Sequence, residues 1–177
     1  MGKRCPTGDG LPSAQLDFRF AKRKSSGYVG AVNSTPSIES LPVAQYAFPG
    51  PLRDRLVTAI LAGEKTATSS LGVEYRRERE PLPRVGDLEA VVDSAGARVA
   101  VTRVVDVHVC RLAEVTDEHA QHEGEGHADA EGWRAEHERF WSSAEFRAAL
   151  GAPHLTIDDD TAVVCVTFVL DHRPVAQ

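Results

Sequence analysis

The sequence predicts an α+β fold built on a small mixed β-sheet or barrel flanked by helices. The element order is the first observation: a helical period, then several strand-like segments, then helices, then one more strand, without the strand–helix–strand alternation of a parallel sheet. Length is the second, because 177 residues allow one sizeable domain plus an appendage. Composition is the third: 42% hydrophobic and 26% charged residues are typical of a globular chain with a packed core.

Residues 1–44 mix Gly, Ser and Pro with a basic cluster, Lys22, Arg23 and Lys24, and keep no helical or strand period. They are expected to form a poorly ordered N-terminal extension, with the domain over 45–177. Pro49 and Pro51 open a segment in which Leu52, Leu56, Val57, Ile60 and Leu61 recur at helical spacing, and Gly63 sits where a left-handed cap would end it. The following run, 64–71, is small and hydroxyl-rich and predicts a turn entering a strand. Pro81, Pro83 and Gly86 bound a charged loop, followed by a strand at 87–92 and a turn at 93–96.

In the next strand Val99, Val101, Val105, Val107 and Val109 share one face at period two, with Arg103 as the one other residue on it. An unpaired buried guanidinium is costly, so either a carboxylate or ligand meets Arg103 or a bulge turns it outward; the pattern leaves both open. Thr116 can cap a short helix over 117–122, stopped at Gly124, and a second helix runs from about 129 through Trp133, His137, Phe140 and Trp141. Ser142 and Glu145 have the spacing of a capping box for a further turn towards Leu150. An acidic turn at 158–160 then leads into a last strand at 161–170.

Net charge is −6, unevenly spread. Residues 1–44 hold six Lys/Arg against three Asp/Glu, and 45–177 hold fourteen against twenty-three, a net of −9. That excess argues against a broad phosphate-gripping surface and leaves room for a nucleoside-sized ligand or a local patch. Charges break every apolar run well short of a membrane span, and no signal-peptide core stands at the N-terminus, so neither membrane nor secretion is expected. Cys5, Cys110 and Cys165 show no C-x-x-C spacing, which fits a reducing cytoplasm.

Several segments in order resemble an ASCH domain of the PUA-like β-barrel superfamily. They are Phe48-Pro49-Gly50-Pro51, the turn Gly63-Glu64-Lys65-Thr66-Ala67-Thr68, Pro83-Arg84-Val85-Gly86-Asp87, the run from His119 to Gly126, Trp133 to His137 with Phe140, and the stretch from Asp160 to Phe168. The resemblance implies a barrel with a cleft lined by the G-x-K-T-x-T and H-A-x-x-E-G motifs, in a family linked to RNA or modified nucleosides. Some relatives are similar to small amidohydrolases that remove an acyl group from the exocyclic nitrogen of cytidine; others are linked to binding or cutting RNA. The functional residues of the amidohydrolase type fall on Lys65, Thr68 and Glu123. Arg103 departs from the acidic residue that many relatives have in the central strand.

Lys65 is the only lysine in 45–177, where the other thirteen Lys/Arg positions are arginine. Lysine can surrender its proton when buried and arginine cannot. Acting as a base near neutrality would need a fall in pKa from about 10.4 to about 7–8, which burial favours and a neighbouring carboxylate opposes. If Glu123 is ionised and close, Lys65 stays protonated and acts electrostatically on a developing oxyanion; if Glu123 is kept neutral, it serves as the acid and Lys65 as the base. Thr68 is the candidate nucleophile or a positioning group for water, although on a straight strand 65 and 68 would face opposite ways. Ser69, Arg103, Trp133 and His137 are the candidate substrate-binding residues.

Glu123 ends a helix against the dipole preference. His119, His122, His127 and His137 lack H-E-x-x-H or cysteine-assisted spacing, so no metal and no cofactor is expected. The expected function is binding of RNA or a modified nucleoside in a cleft, with removal of an acyl group from cytidine. The alternatives are a non-catalytic RNA-binding module and a metal-dependent ribonuclease. No membrane and no obligate protein partner is expected.

Overall fold

Valine-rich and hydroxyl-rich segments build one five-stranded sheet, formed by β1 (Val43–Ala44), β2 (Ala67–Leu71), β3 (Leu88–Val92), β4 (Arg98–Arg111) and β5 (Ala162–Leu170). The structure, a computed structural model, describes residues 37–172. Strand order is β1-β3-β4-β5-β2, with β1 parallel to β3 and every other pair antiparallel. The fold is therefore α+β with a mixed sheet, as expected, but the sheet does not close into a barrel: β1 and β2 remain separate edges. Edge strand β1 has two residues, and Leu56, Val57 and Ile60 of helix α1 (Pro51–Ala62) pack with Ala44, Val91 and Phe168 in one core cluster.

Residues 37–44, placed in the extension by sequence reasoning, belong to the fold. Ser37 caps a short 3-10 turn at Ile38–Ser40, and Leu41 packs with Ala90 and Val101. The remaining residues of the extension, 1–36, lie outside the described residues, and so do its basic cluster and Cys5.

Helix α1 has the expected boundaries because its end signals are local. Pro51 opens it, and Gly63, at φ 75°, donates its N–H back to the last turn. Past β2 the chain forms α2 (Gly72–Glu78), in a stretch where sequence reasoning placed no helix. Arg79, at φ 58°, then closes it.

The valine face of β4 is interrupted. Register shifts between Val104 and Asp106, so the period-two assignment breaks there: Val101 and Val104 are buried while Val99 and Val109 are exposed. Arg103 is met by a carboxylate at the surface, its Nε 3.5 Å from Asp171 Oδ2, with 44% of the side chain exposed.

Three helices complete the chain: α3 (Asp117–His122), α4 (Ala130–Trp141) and α5 (Ala144–Ala149). Thr116 and Asp129 cap α3 and α4 by accepting from the N–H groups of His119 and Gly132. The cap of α5 is Ser143, one residue later than the Ser142 spacing suggested, and it accepts from Phe146 N–H. These helices dock on the sheet through a core that includes Leu71, Leu112, Trp133, Trp141, Phe146 and Val163. Among the described residues no helix is long and apolar enough to cross a membrane.

Candidate functional site

A cleft of about 640 Å³ lies between the sheet, α1, α2, α4 and the α3–α4 loop. Sheet alternation sets its floor: Thr68 sits opposite Val166 in the β2–β5 ladder, and both line the cleft, as do Val104 and Phe168. Ser69, Glu74 and Tyr75 line it from β2 and α2, Leu52 and Arg55 from α1, Glu123 to His127 from the loop, and Glu136, His137 and Phe140 from α4.

The two motifs meet at Gly124. It adopts φ +63°, and a Cβ there would come 2.5 Å from Glu64 O and 2.9 Å from Lys65 Cα. Only glycine allows the backbones to approach so closely. Thr66 N–H donates to His122 O at 2.8 Å and ties the same junction.

This approach inserts Lys65 beneath the loop, where it is 1% exposed. Its ammonium donates to Glu123 O at 3.0 Å, Glu123 Oε2 at 3.2 Å and Glu125 Oε1 at 2.7 Å. All three of its N–H donors are thus used, and none reaches Thr68. Burial works against the ammonium, but the carboxylates of Glu123 and Glu125 outweigh it and hold Lys65 above its ordinary pKa. Lys65 is thus held as a cation, with its ammonium turned to the loop carboxylates.

Glu123, also 1% exposed, is the centre of the polar network. Its Oε1 accepts from the indole N–H of Trp133 at 2.8 Å and lies 3.3 Å from His119 Nε2, while Oε2 faces Lys65 and lies 3.7 Å from His137 Nε2. Burial alone would favour the neutral acid; Lys65 first, then His119 and His137, reverse this and hold the carboxyl well below the usual range. Of the two protonation arrangements open from the sequence, this geometry is the one with Glu123 ionised and Lys65 charged.

Ser69 Oγ lies 2.8 Å from His119 Nε2, the same ring nitrogen that approaches Glu123. A serine–histidine–acid relay uses both ring nitrogens, so these three residues do not form one. His137 is stacked on Trp133 with ring centroids 4.1 Å apart, and its Nδ1 lies 3.0 Å from Trp133 O. A carbonyl only accepts, so Nδ1 carries a proton, and Nε2 is the ring nitrogen that faces Glu123. Trp133 itself is fully buried, behind the residues that line the cleft, and donates its indole N–H to Glu123. Arg103 lies outside the cleft, on the surface beside Asp171.

The sequence pattern of the ASCH domain matches residues 44–170. The chain belongs to the ASCH domain family. An ASCH domain from Lactobacillus crispatus is similar in structure, with a TM-score of 0.63 and 25% identity over 75% of this chain and 82% of that one. A protein from Enterococcus faecalis is also similar, with a TM-score of 0.58 and 29% identity over 68% and 69% of the two chains. No curated protein matches the sequence. ASCH domains share the PUA-like fold, and the family is often linked to RNA binding.

In this ASCH domain, Thr68, Ser69, Glu123 and His137 share the cleft, Lys65 and Trp133 bond Glu123 from behind it, and Arg103 stands apart. Sequence reasoning missed Glu125 as the second partner of Lys65, His119 as the link between Ser69 and Glu123, and Glu74 as a buried carboxyl of the wall. The repeated Glu-Gly of residues 123–126 was the available signal for Glu125. Nothing local marked Glu74.

Proposed function

We propose that the cleft binds an uncharged pyrimidine nucleoside and hydrolyses an acyl amide on the exocyclic nitrogen of cytidine. The observation that carries the ligand class is the charge of the walls. Besides Glu74 and the Lys65-paired Glu123 and Glu125, the cleft is lined by Glu64, Glu89 and Glu136, against Arg55 as the one arginine or lysine of the lining among the described residues. Such a surface repels phosphodiesters, and its volume suits a nucleoside.

The chemistry supported by these residues is attack by water. Thr68 has no base within hydrogen-bond reach among the described residues, so its hydroxyl positions the water or the acyl oxygen instead of attacking. His137 Nε2 accepts a proton from the water, and the imidazolium so formed faces the Glu123 carboxylate. The water oxygen joins the acyl carbon, the carbon–nitrogen bond breaks, and the exocyclic nitrogen leaves with a proton as the amine of cytidine. Lys65 acts by holding Glu123 ionised and in place.

Calorimetry with cytidine and cytidine 5′-monophosphate tests the ligand class. The nucleoside is expected to bind at least about tenfold more tightly at low salt, with the gap narrowing as salt rises. Equal or tighter binding of the phosphate would favour the reading as an RNA-binding module, in which the basic cluster at residues 22–24 adds phosphate contacts.

A further inference from the structure

Glu74 has no part in the reaction just described, yet its placement is unusual for a carboxyl. It lines the cleft and is 8% exposed. Its Oε1 accepts from Leu71 N–H at 2.6 Å, while Oε2 has no hydrogen-bond partner among the described residues. A carboxyl with one oxygen tied and the other beside a ligand-sized cavity has two distinct states. Protonated, it donates from Oε2; ionised, it only accepts.

We propose that Glu74 in its protonated form donates a hydrogen bond from Oε2 to an acceptor on the pyrimidine edge of the ligand, a ring nitrogen or carbonyl oxygen. This assignment rests on the cleft's taking a pyrimidine nucleoside. It makes Glu74 a specificity residue, favouring bases that present an acceptor at the α2 wall.

The surroundings suit a neutral acid. Burial, partly offset by the Leu71 N–H and reinforced by the Glu78 carboxylate, pushes the Glu74 carboxyl up to about 7. The strands on which α2 packs, β2 and β5, carry no charged side chain, and their titratable group, the Cys165 thiol, is pushed by burial up to about 12. On its own helix Tyr75, Arg76 and Arg77 are the other titratable neighbours, and Arg77 is turned away to the carbonyls of Leu150 and Gly151. The other charged and titratable residues of the cleft lining include Arg55 on α1, Glu89 on β3, Glu123 and His137.

The test is calorimetric titration of the full chain with cytidine from pH 5.5 to 8.5, for wild type and Glu74→Gln. A glutamine still accepts from Leu71 and donates into the cleft, now at every pH. Wild-type affinity is expected to fall about tenfold between pH 6 and pH 8, as the donor ionises, and Glu74→Gln is expected to bind with little change across the range. A flat wild-type profile, or a variant that keeps the wild-type slope, would overturn the assignment while leaving the nucleoside reading intact. If cytidine binds neither protein at any pH, the nucleoside reading falls and the assignment with it. Should the variant fail to fold, the wild-type profile alone decides.

Discussion

Lys65 Nζ lies 3.2 Å from Glu123 Oε2 and 3.0 Å from the backbone oxygen of the same residue, both groups shut away from solvent. The lysine grips the loop residue by side chain and main chain at once. Removing one member of such a pair leaves a buried charge without its counterpart. Lys65→Met is therefore expected to destabilise the domain by about 3–5 kcal/mol in urea denaturation. Adding Glu123→Gln to it should recover part of that loss, because the second charge is then gone. Additive costs for the two substitutions would show that they do not interact.

The junction at Gly124 yields a second prediction. Gly124→Ala puts a Cβ into the Glu64 carbonyl at 2.5 Å as well as straining φ +63°, whereas a Cβ at Gly126, φ +92°, meets nothing within 4 Å. Both substitutions cost backbone strain, but Gly124→Ala should lower the melting temperature clearly further and weaken ligand binding. Equal shifts would mean that the close approach of the two motifs does not matter.

How far the sequence foretold these features depends on how local their causes are. Pro51, Gly63, Thr116 and Asp129 mark helix ends through their own backbone chemistry, and the structure keeps all four. Helix α2 went unseen because seven residues starting at Gly72 carry too little periodicity. The sequence left two readings of Arg103 open because the register shift at Val104–Asp106 leaves no trace in a run of valines. At the site, a lone lysine and a misplaced glutamate were legible as anomalies of residue type. Their exact partners were not, since Glu125 and His119 reach the centre only through two loops brought together across the fold.

Stability should fall with rising pH through the Glu74 transition. Its folded pKa of about 7 stands above the ordinary 4.5, so the native state binds the extra proton between those values. The contribution is whole below about 4.5 and lost by about pH 8, a difference of about 3 kcal/mol. Urea denaturation of wild type and Glu74→Gln at pH 5 and pH 8 checks it: the variant should lose less stability over this interval. An identical fall in both would assign the change to other groups.

Glu123 gives the opposite dependence at acid pH. Its folded pKa is depressed, so its stabilising contribution is present above the ordinary carboxylate value and lost as pH falls through the lower, folded one. Acid unfolding monitored by Trp133 and Trp141 fluorescence should therefore shift to higher pH in Lys65→Met, where the depressing charge is absent. No shift would mean that Lys65 does not hold Glu123 ionised.

Arg103→Ala should leave the cleft untouched. The guanidinium is 44% exposed, lies 3.5 Å from the largely buried Asp171 carboxylate and is not part of the cleft lining. Affinity for cytidine should match wild type. A tenfold loss would place Arg103 in the binding surface after all.

The most direct test of the account is a time course of purified protein with acetylated cytidine, followed by chromatography of the nucleoside. Wild type is predicted to release cytidine and acetate in equal amounts, while Thr68→Val and His137→Gln, both folded by thermal melting, lose at least about tenfold in kcat/KM. Absence of release by wild type, or equal rates in all three proteins, would contradict it.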